Sequence, residues 1–210
     1  MNVAQMLRGM ATLSWVAALA VIALAVARAA RGRSFKGAGG LVAGTILAAI
    51  LLTSVAAGLV FVRPEERGVV ISAVAPGGYR PVALTPGLHW VIPFFENVVI
   101  YPISRQTYTM SIAPGEGQVT GDDSVEARTS DGQIVRIDAS VIYAINLDRV
   151  VQVHIEWQSR YATDLVRPIA RGIIRSAASQ YGVEEIVTSE RDALTDLITA
   201  ELAGSLEENG

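Results

Sequence analysis

The side chains best suited to chemistry in this sequence are few: two histidines, His89 and His154, and a run of acids, Asp122, Asp123, Glu126 and Asp131. A metal centre needs such groups at short, regular spacing. The histidines stand 65 residues apart, in segments of different character, and neither belongs to an HExxH pattern. The acids lack the spacing of a calcium loop, and a solvated loop suits them better. There is no cysteine, which removes thiol catalysis, disulfides, iron–sulfur clusters and Cys-based zinc sites together. No G-x-S-x-G, P-loop or dinucleotide fingerprint occurs, and Gly37, Gly39 and Gly40 lie in an apolar run where no phosphate would go. A membrane hydrolase would need a nucleophile–base pair that this chain has little material to build. The expectation is a protein without catalytic, cofactor-binding or metal-ligating residues, in which both histidines are structural or lie on the surface.

The elements that carry these residues divide by charge. Residues 1–62 hold Arg8, Arg28, Arg31, Arg33 and Lys36 and no acid. All 20 Asp and Glu follow, with the other 12 basic residues, so the remainder is net acidic. An acidic domain is a poor partner for nucleic acid, which rewards clustered Lys and Arg.

Gly9–Ala27 and Gly37–Val62 contain no charge. The second run would be about 39 Å long as a helix, and a hydrocarbon core is about 30 Å thick. Two such runs joined by a short loop predict a transmembrane helical hairpin. Gly40-x-x-x-Gly44 fits either close helix approach or general glycine tolerance in a membrane helix. A cleaved signal peptide ending at Ala25-Val26-Ala27 is the rival reading of the first run. The run is long for a signal core, and cleavage would leave the basic loop outside. With Arg28, Arg31, Arg33 and Lys36 taken as cytoplasmic, both chain ends and the acidic domain fall on the outer face.

Beyond Arg63 the pattern predicts a mixed α+β domain. Strands are expected at Gly68–Ala73, Tyr79–Leu84, Asn97–Tyr101 and Gln106–Ile112. Pro86–Tyr101 is too apolar for water and too broken by proline for a helix. Ser124–Thr129, the turn Ser130-Asp131-Gly132 and the long strand Gln133–Ile145 form a hairpin, with Val135, Ile137, Ala139, Val141, Tyr143 and Ile145 facing the core. Helices are expected at Leu147–Trp157 and Tyr161–Gln180, the latter begun or kinked at Pro168. Arg160, Arg167, Arg171 and Arg175 stripe its other face, either a solvated stripe paired with acids of this chain or of a second subunit, or a binding surface. Ser189 and Asp192 stand at capping-box spacing before a last helix. Its stripe of Leu194, Leu197, Ile198, Leu202 and Leu206 has nothing downstream to pack on, which suggests an oligomer or a longer chain.

Taken in order, Pro64-Glu65-Glu66-Arg67-Gly68-Val69-Val70, then Pro86-Gly87-Leu88-His89-Trp90 with Ile92-Pro93-Phe94, resemble the opening of the SPFH or Band 7 domain of stomatins, prohibitins, flotillins, HflK and HflC. Thr129–Gly132 with the strand to Tyr143, Arg167-Pro168 with Arg171, and Thr188-Ser189-Glu190-Arg191 resemble its later parts, most like a bacterial prohibitin-like protein. The resemblance implies an α+β fold: residues 1–36 a first transmembrane helix and basic loop, 37–62 a second, 63–188 an SPFH domain of antiparallel or mixed sheet with packed helices, and 189–210 the start of a coiled-coil-type helix. Many relatives have one span or a re-entrant hairpin, and relatives continue into a long coiled coil.

It also implies a non-enzymatic scaffold of the bacterial inner membrane. Such a scaffold assembles with itself or a paralogue into a ring or cage, organises lipid, and encloses or regulates an FtsH-type AAA protease. The SPFH domain is expected on the periplasmic face. An accessory docking subunit that forms no ring is the alternative. In the family the segment after Pro86 is membrane-proximal, so His89, Trp90, Val91, Ile92, Phe94 and Phe95 are expected at lipid, unless the rings pack under the sheet. Arg167, Arg171, Arg175, Leu194, Leu197, Ile198, Leu202 and Leu206 are the expected oligomer interface.

Overall fold

A computed structural model describes residues 3–31, 37–188 and 190–210. Arg33 and Lys36 of the basic loop, and Ser189 of the expected capping box, lie outside the described residues. The fold is α+β, in two compact units, Met1–Ile100 and Tyr101–Gly210.

The first unit opens with α1 (Val3–Ala30) and α2 (Ala38–Gly58). Both are long and apolar enough to cross a membrane. They pack on each other through alanines seven residues apart, Ala11 and Ala18 on one helix and Ala49 and Ala56 on the other, all buried. Small side chains let two backbones approach where lipid supplies no hydrophobic drive. Trp15 Nε1 donates to Thr53 Oγ1 across the seam at 2.9 Å. The hydroxyls of Thr12 and Thr53 turn back onto carbonyls of their own helices, Gly9 and Ala49, each at 2.7 Å. Gly40 and Gly44 are not part of this seam, since a side chain at either would meet nothing within 4 Å.

The second apolar run is not helical to Val62. Helix α2 stops at Gly58, and Leu59–Val62 is β1, antiparallel to β3 (Gly87–Trp90). Four apolar, β-branched or aromatic residues fit a strand as well as a helix, and the partner strand decides. β2 (Glu66–Ser72) neighbours β4 (Glu96–Pro102), which runs across the boundary between the units. Tyr79–Leu84 forms no continuous strand; it touches β2 through isolated bridges, Ile71 to Tyr79 and Gly68 to Leu84, with Pro81 between them lacking a donor.

In the second unit β5 (Gln106–Met110) pairs antiparallel with β8 (Ala139–Tyr143), and β6 (Val125–Arg128) with β7 (Ile134–Ile137) through the Asp131-Gly132 turn. The expected long strand is thus divided at Asp138. That carboxylate accepts the Ile112 N–H at 3.1 Å and the Ser111 hydroxyl at 3.0 Å, where β7 gives way to β8. The inward alternation from Val135 to Ile145 persists across the break.

Then come α3 (Val150–Glu156), a wide π-type turn at Tyr161–Val166, α4 (Arg167–Ala178), the short α5 (Val183–Val187) and α6 (Arg191–Glu208). Pro168 explains the wide turn: it has no N–H for the preceding turn and its ring crowds the carbonyl four residues back. The core joins Tyr108, Met110, Val125 and Val141 of the strands to Val166, Ala170, Ile174 and Leu202 of the helices.

The last residues of α6 pack against α3 and its approach. Gly210 has φ 86°, and a Cβ there would stand 3.0 Å from Arg149 Cβ. Arg149 Nη1 donates to the carbonyls of Glu207 and Glu208 at 3.0 and 2.9 Å, satisfying last-turn acceptors at the negative end of the helix dipole.

Candidate functional site

The segment from Pro86 forms β3 and then a turn that leads into β4. The β1–β3 register sets Trp90 opposite Leu59, the first residue after α2, and Leu88 opposite Phe61. The chain leaving Trp90 therefore runs back beside the end of that helix, where the Val91 N–H donates to Gly58 O at 2.8 Å. Alternate residues point the same way along a strand, and Leu88, Trp90 and Ile92 are all exposed. Val91, between them, is 2% exposed, so it faces inward and cannot meet lipid. His89 does not project freely either: its Nε2 donates to Thr85 O at 2.6 Å.

The turn beyond carries the most exposed side chain of the set. Phe94 has φ 69°, rare for an aromatic residue, and is 88% exposed, with Phe95 exposed beside it. Glu96 closes this turn. Its carboxylate accepts the Ile92 N–H at 2.8 Å and the Arg80 guanidinium at 2.9 and 2.5 Å, while its own N–H donates to Ile92 O at 2.9 Å. The Glu96 side chain is 3% exposed. Burial pushes its pKa up, but Arg80 and the Ile92 N–H outweigh that and hold it below the usual carboxylate range. Arg80 and Glu96 are 16 residues apart, and no periodicity or motif in the sequence connects them.

The arginine stripe turns inward on its own chain. Asp123, with its side chain 2% exposed, takes Arg167 through Nε at 3.1 Å and through Nη2, and Arg171 Nη1 at 3.1 Å. Tyr108 OH adds a hydrogen bond at 3.4 Å. Arg171 also donates to the carbonyls of Asp123 and Ser124, and Arg175 to that of Glu126. The Arg167 hydrogen bonds hold Asp123 below the usual carboxylate range. These arginines join α4 to β6 and its approach within the chain.

The apolar stripe of α6 also finds a partner upstream. Leu194 and Leu202 are buried, Ile198 and Leu206 pack against the core, and Leu197 is half-buried. Leu194, Ile198, Leu202 and Leu206 form one wall of a groove of about 980 Å³ whose other wall is Ile137, Ala139 and Val141.

The remaining chemical groups hold structure. His154 Nδ1 lies 2.6 Å from Tyr101 OH and their rings meet edge-on. Tyr161 lies between Tyr101, which it meets at a tilt, and Tyr143, which it meets edge-on, and burial pushes Tyr143 up to about 12. Asp122 accepts the N–H and hydroxyl of Ser124, and Asp131 holds Thr129 within the turn.

An apolar helical hairpin leading into antiparallel ribbons with packed helices defines a membrane-attached α+β domain. The chain belongs to the SPFH domain / Band 7 family, whose sequence profile matches residues 60–210. It is 28% identical over 150 residues to Protein HflK of Treponema pallidum, covering 68% of this chain and 44% of that protein. It is 30% identical over 133 residues to an uncharacterized protein of Archaeoglobus fulgidus, covering 63% of this chain and 45% of the relative. The chain spans under half the length of these curated relatives.

Proposed function

We propose that the protein is a non-enzymatic membrane scaffold of the bacterial inner membrane, with its Band 7 domain on the periplasmic face. It assembles with itself or a paralogue into a ring or cage that organises lipid and encloses or regulates an FtsH-type protease. The observation that carries this reading is the seating of β3 on β1: the strand that follows the second membrane helix pairs with the strand ending in Trp90. That pairing sets Trp90 beside the end of α2, and the exposed Ile92, Phe94 and Phe95 follow it along the chain, an apolar edge of the kind that suits the lipid interface. Family membership and the likeness to HflK support the same reading. A domain held to the bilayer by two helices and an apolar edge has its orientation fixed, which favours lateral assembly over diffusion in three dimensions.

The alternative, an accessory subunit present once or twice per complex, is favoured by one observation. The arginine and leucine stripes expected to join copies are used within the domain. Chemical cross-linking in intact membranes tests the two. A ladder of many self-linked copies, formed without any other protein, supports the scaffold. Cross-links confined to one unrelated partner support the accessory subunit.

A further inference from the structure

The apolar tip at Phe94 does not stand alone. The Ala73 N–H donates to Phe95 O at 2.8 Å, which brings the loop after β2 against the tip and sets the exposed Val74 next along the chain. Arg80 closes that same loop, its N–H bonded to Val70 O at 2.9 Å. Its guanidinium reaches from there to Glu96, at the base of the Ile92–Glu96 turn. One ion pair, with its carboxylate buried and its guanidinium partly exposed, therefore joins two loops that each expose an apolar side chain. A fork-shaped guanidinium on a carboxylate fixes distance and angle together, which a single hydrogen bond would not. The turn needs such a hold, because Phe94 sits in the left-handed region and relaxing to ordinary backbone would swing its ring away.

We propose that Arg80 and Glu96 are the positioning pair of a two-loop lipid contact, with Val74 as its second apolar finger beside Phe94 and Phe95. The proposal rests on the reading of the Trp90–Phe95 edge as a bilayer contact and adds what aims it. Arg80 is neutralised by Glu96, so the contact works by apolar burial and requires no anionic lipid.

The absence of cysteine allows a direct test, because a single introduced thiol carries a single spin label. Full-length F94C and V74C chains, labelled and reconstituted in phosphatidylcholine vesicles, are probed with oxygen, which partitions into lipid, and with a water-soluble nickel chelate. An I71C label, exposed on β2 of the same unit, serves as the control of fold. Arg80→Gln alone would leave a buried carboxylate unpaired, so the pair is replaced together as R80Q/E96Q.

The expected result is that labels at 74 and 94 are open to oxygen and shielded from the chelate in the parent chain. Both lose that shielding in R80Q/E96Q, with the control label unchanged. Shielding that survives the double replacement overturns the positioning pair and leaves the lipid contact standing. Labels open to the chelate in the parent chain overturn the lipid contact itself. A control label altered by R80Q/E96Q also contradicts the proposal, because the pair would then hold the fold rather than the tip.

Discussion

The indole of Trp90 rests on Gly58, the last residue of helix α2: a Cβ at position 58 would stand 2.8 Å from Trp90 Cη2 and 2.7 Å from Val91 O. The junction between membrane helix and Band 7 domain therefore tolerates no side chain there. Gly58→Val is expected to cost about 2 kcal/mol by overpacking, read as a lowered thermal midpoint in detergent. Trp90→Ala in that background recovers only part of the loss, because the Val91 carbonyl still blocks the new side chain.

Asp123 is the acid on which the second unit turns. Asp123→Asn removes the charge that Arg167 and Arg171 share beneath Tyr108 and is expected to cost about 3 kcal/mol. Arg175→Ala loses one bond to the Glu126 carbonyl at an exposed site and is expected to cost about 0.5 kcal/mol. Paired thermal or urea unfolding curves check the contrast.

The same groups set the pH range of stability. The carboxyls of Asp123 and Glu96 are held below their unfolded values of 3.8 and 4.5. Their contribution is complete above those values and is lost as pH falls through the lower folded ones. Tyr143 is the opposite case: its neutral form is favoured, so its contribution is complete below pH 10 and is lost as pH rises toward about 12. Stability followed across pH, with tyrosinate absorbance monitored on the alkaline side, should fall at both ends. In D123N the acid limb should be shallower.

Part of the α6 stripe packs into its own domain, with Leu202 in the core and Ile198 and Leu206 against it. Leu202→Ala is expected to cost about 3 kcal/mol of stability, and Leu197→Ala, at a half-buried position, markedly less. A loss of assembly without a loss of stability in L202A would return the stripe to a subunit interface.

Periodicity carries far in this chain. Two uncharged runs announce α1 and α2, the Asp131-Gly132 turn announces the β6–β7 hairpin, and Pro168 marks where α4 begins. Each is a local signal with a steric or solvation cause. What escapes is long-range. Leu59–Val62 reads equally as the end of a helix or as a strand until β3 pairs with it. The break at Asp138 depends on Ile112, far away in sequence, and α5 is too short to show a period. The exposed apolar edge of Trp90, Ile92, Phe94 and Phe95, on which the proposed contact rests, was legible because large apolar and aromatic side chains between prolines stand out by type. The inward turn of Val91 and the Arg80–Glu96 pair depend on tertiary geometry.

The most direct measurement is the copy number of the particle formed by the full-length protein alone. It is extracted in mild detergent, and its mass and images are taken by electron microscopy. A membrane scaffold predicts closed particles of many copies with a membrane-embedded base. Monomers or dimers that enlarge only when one defined partner is added would contradict the scaffold and make the domain a docking module.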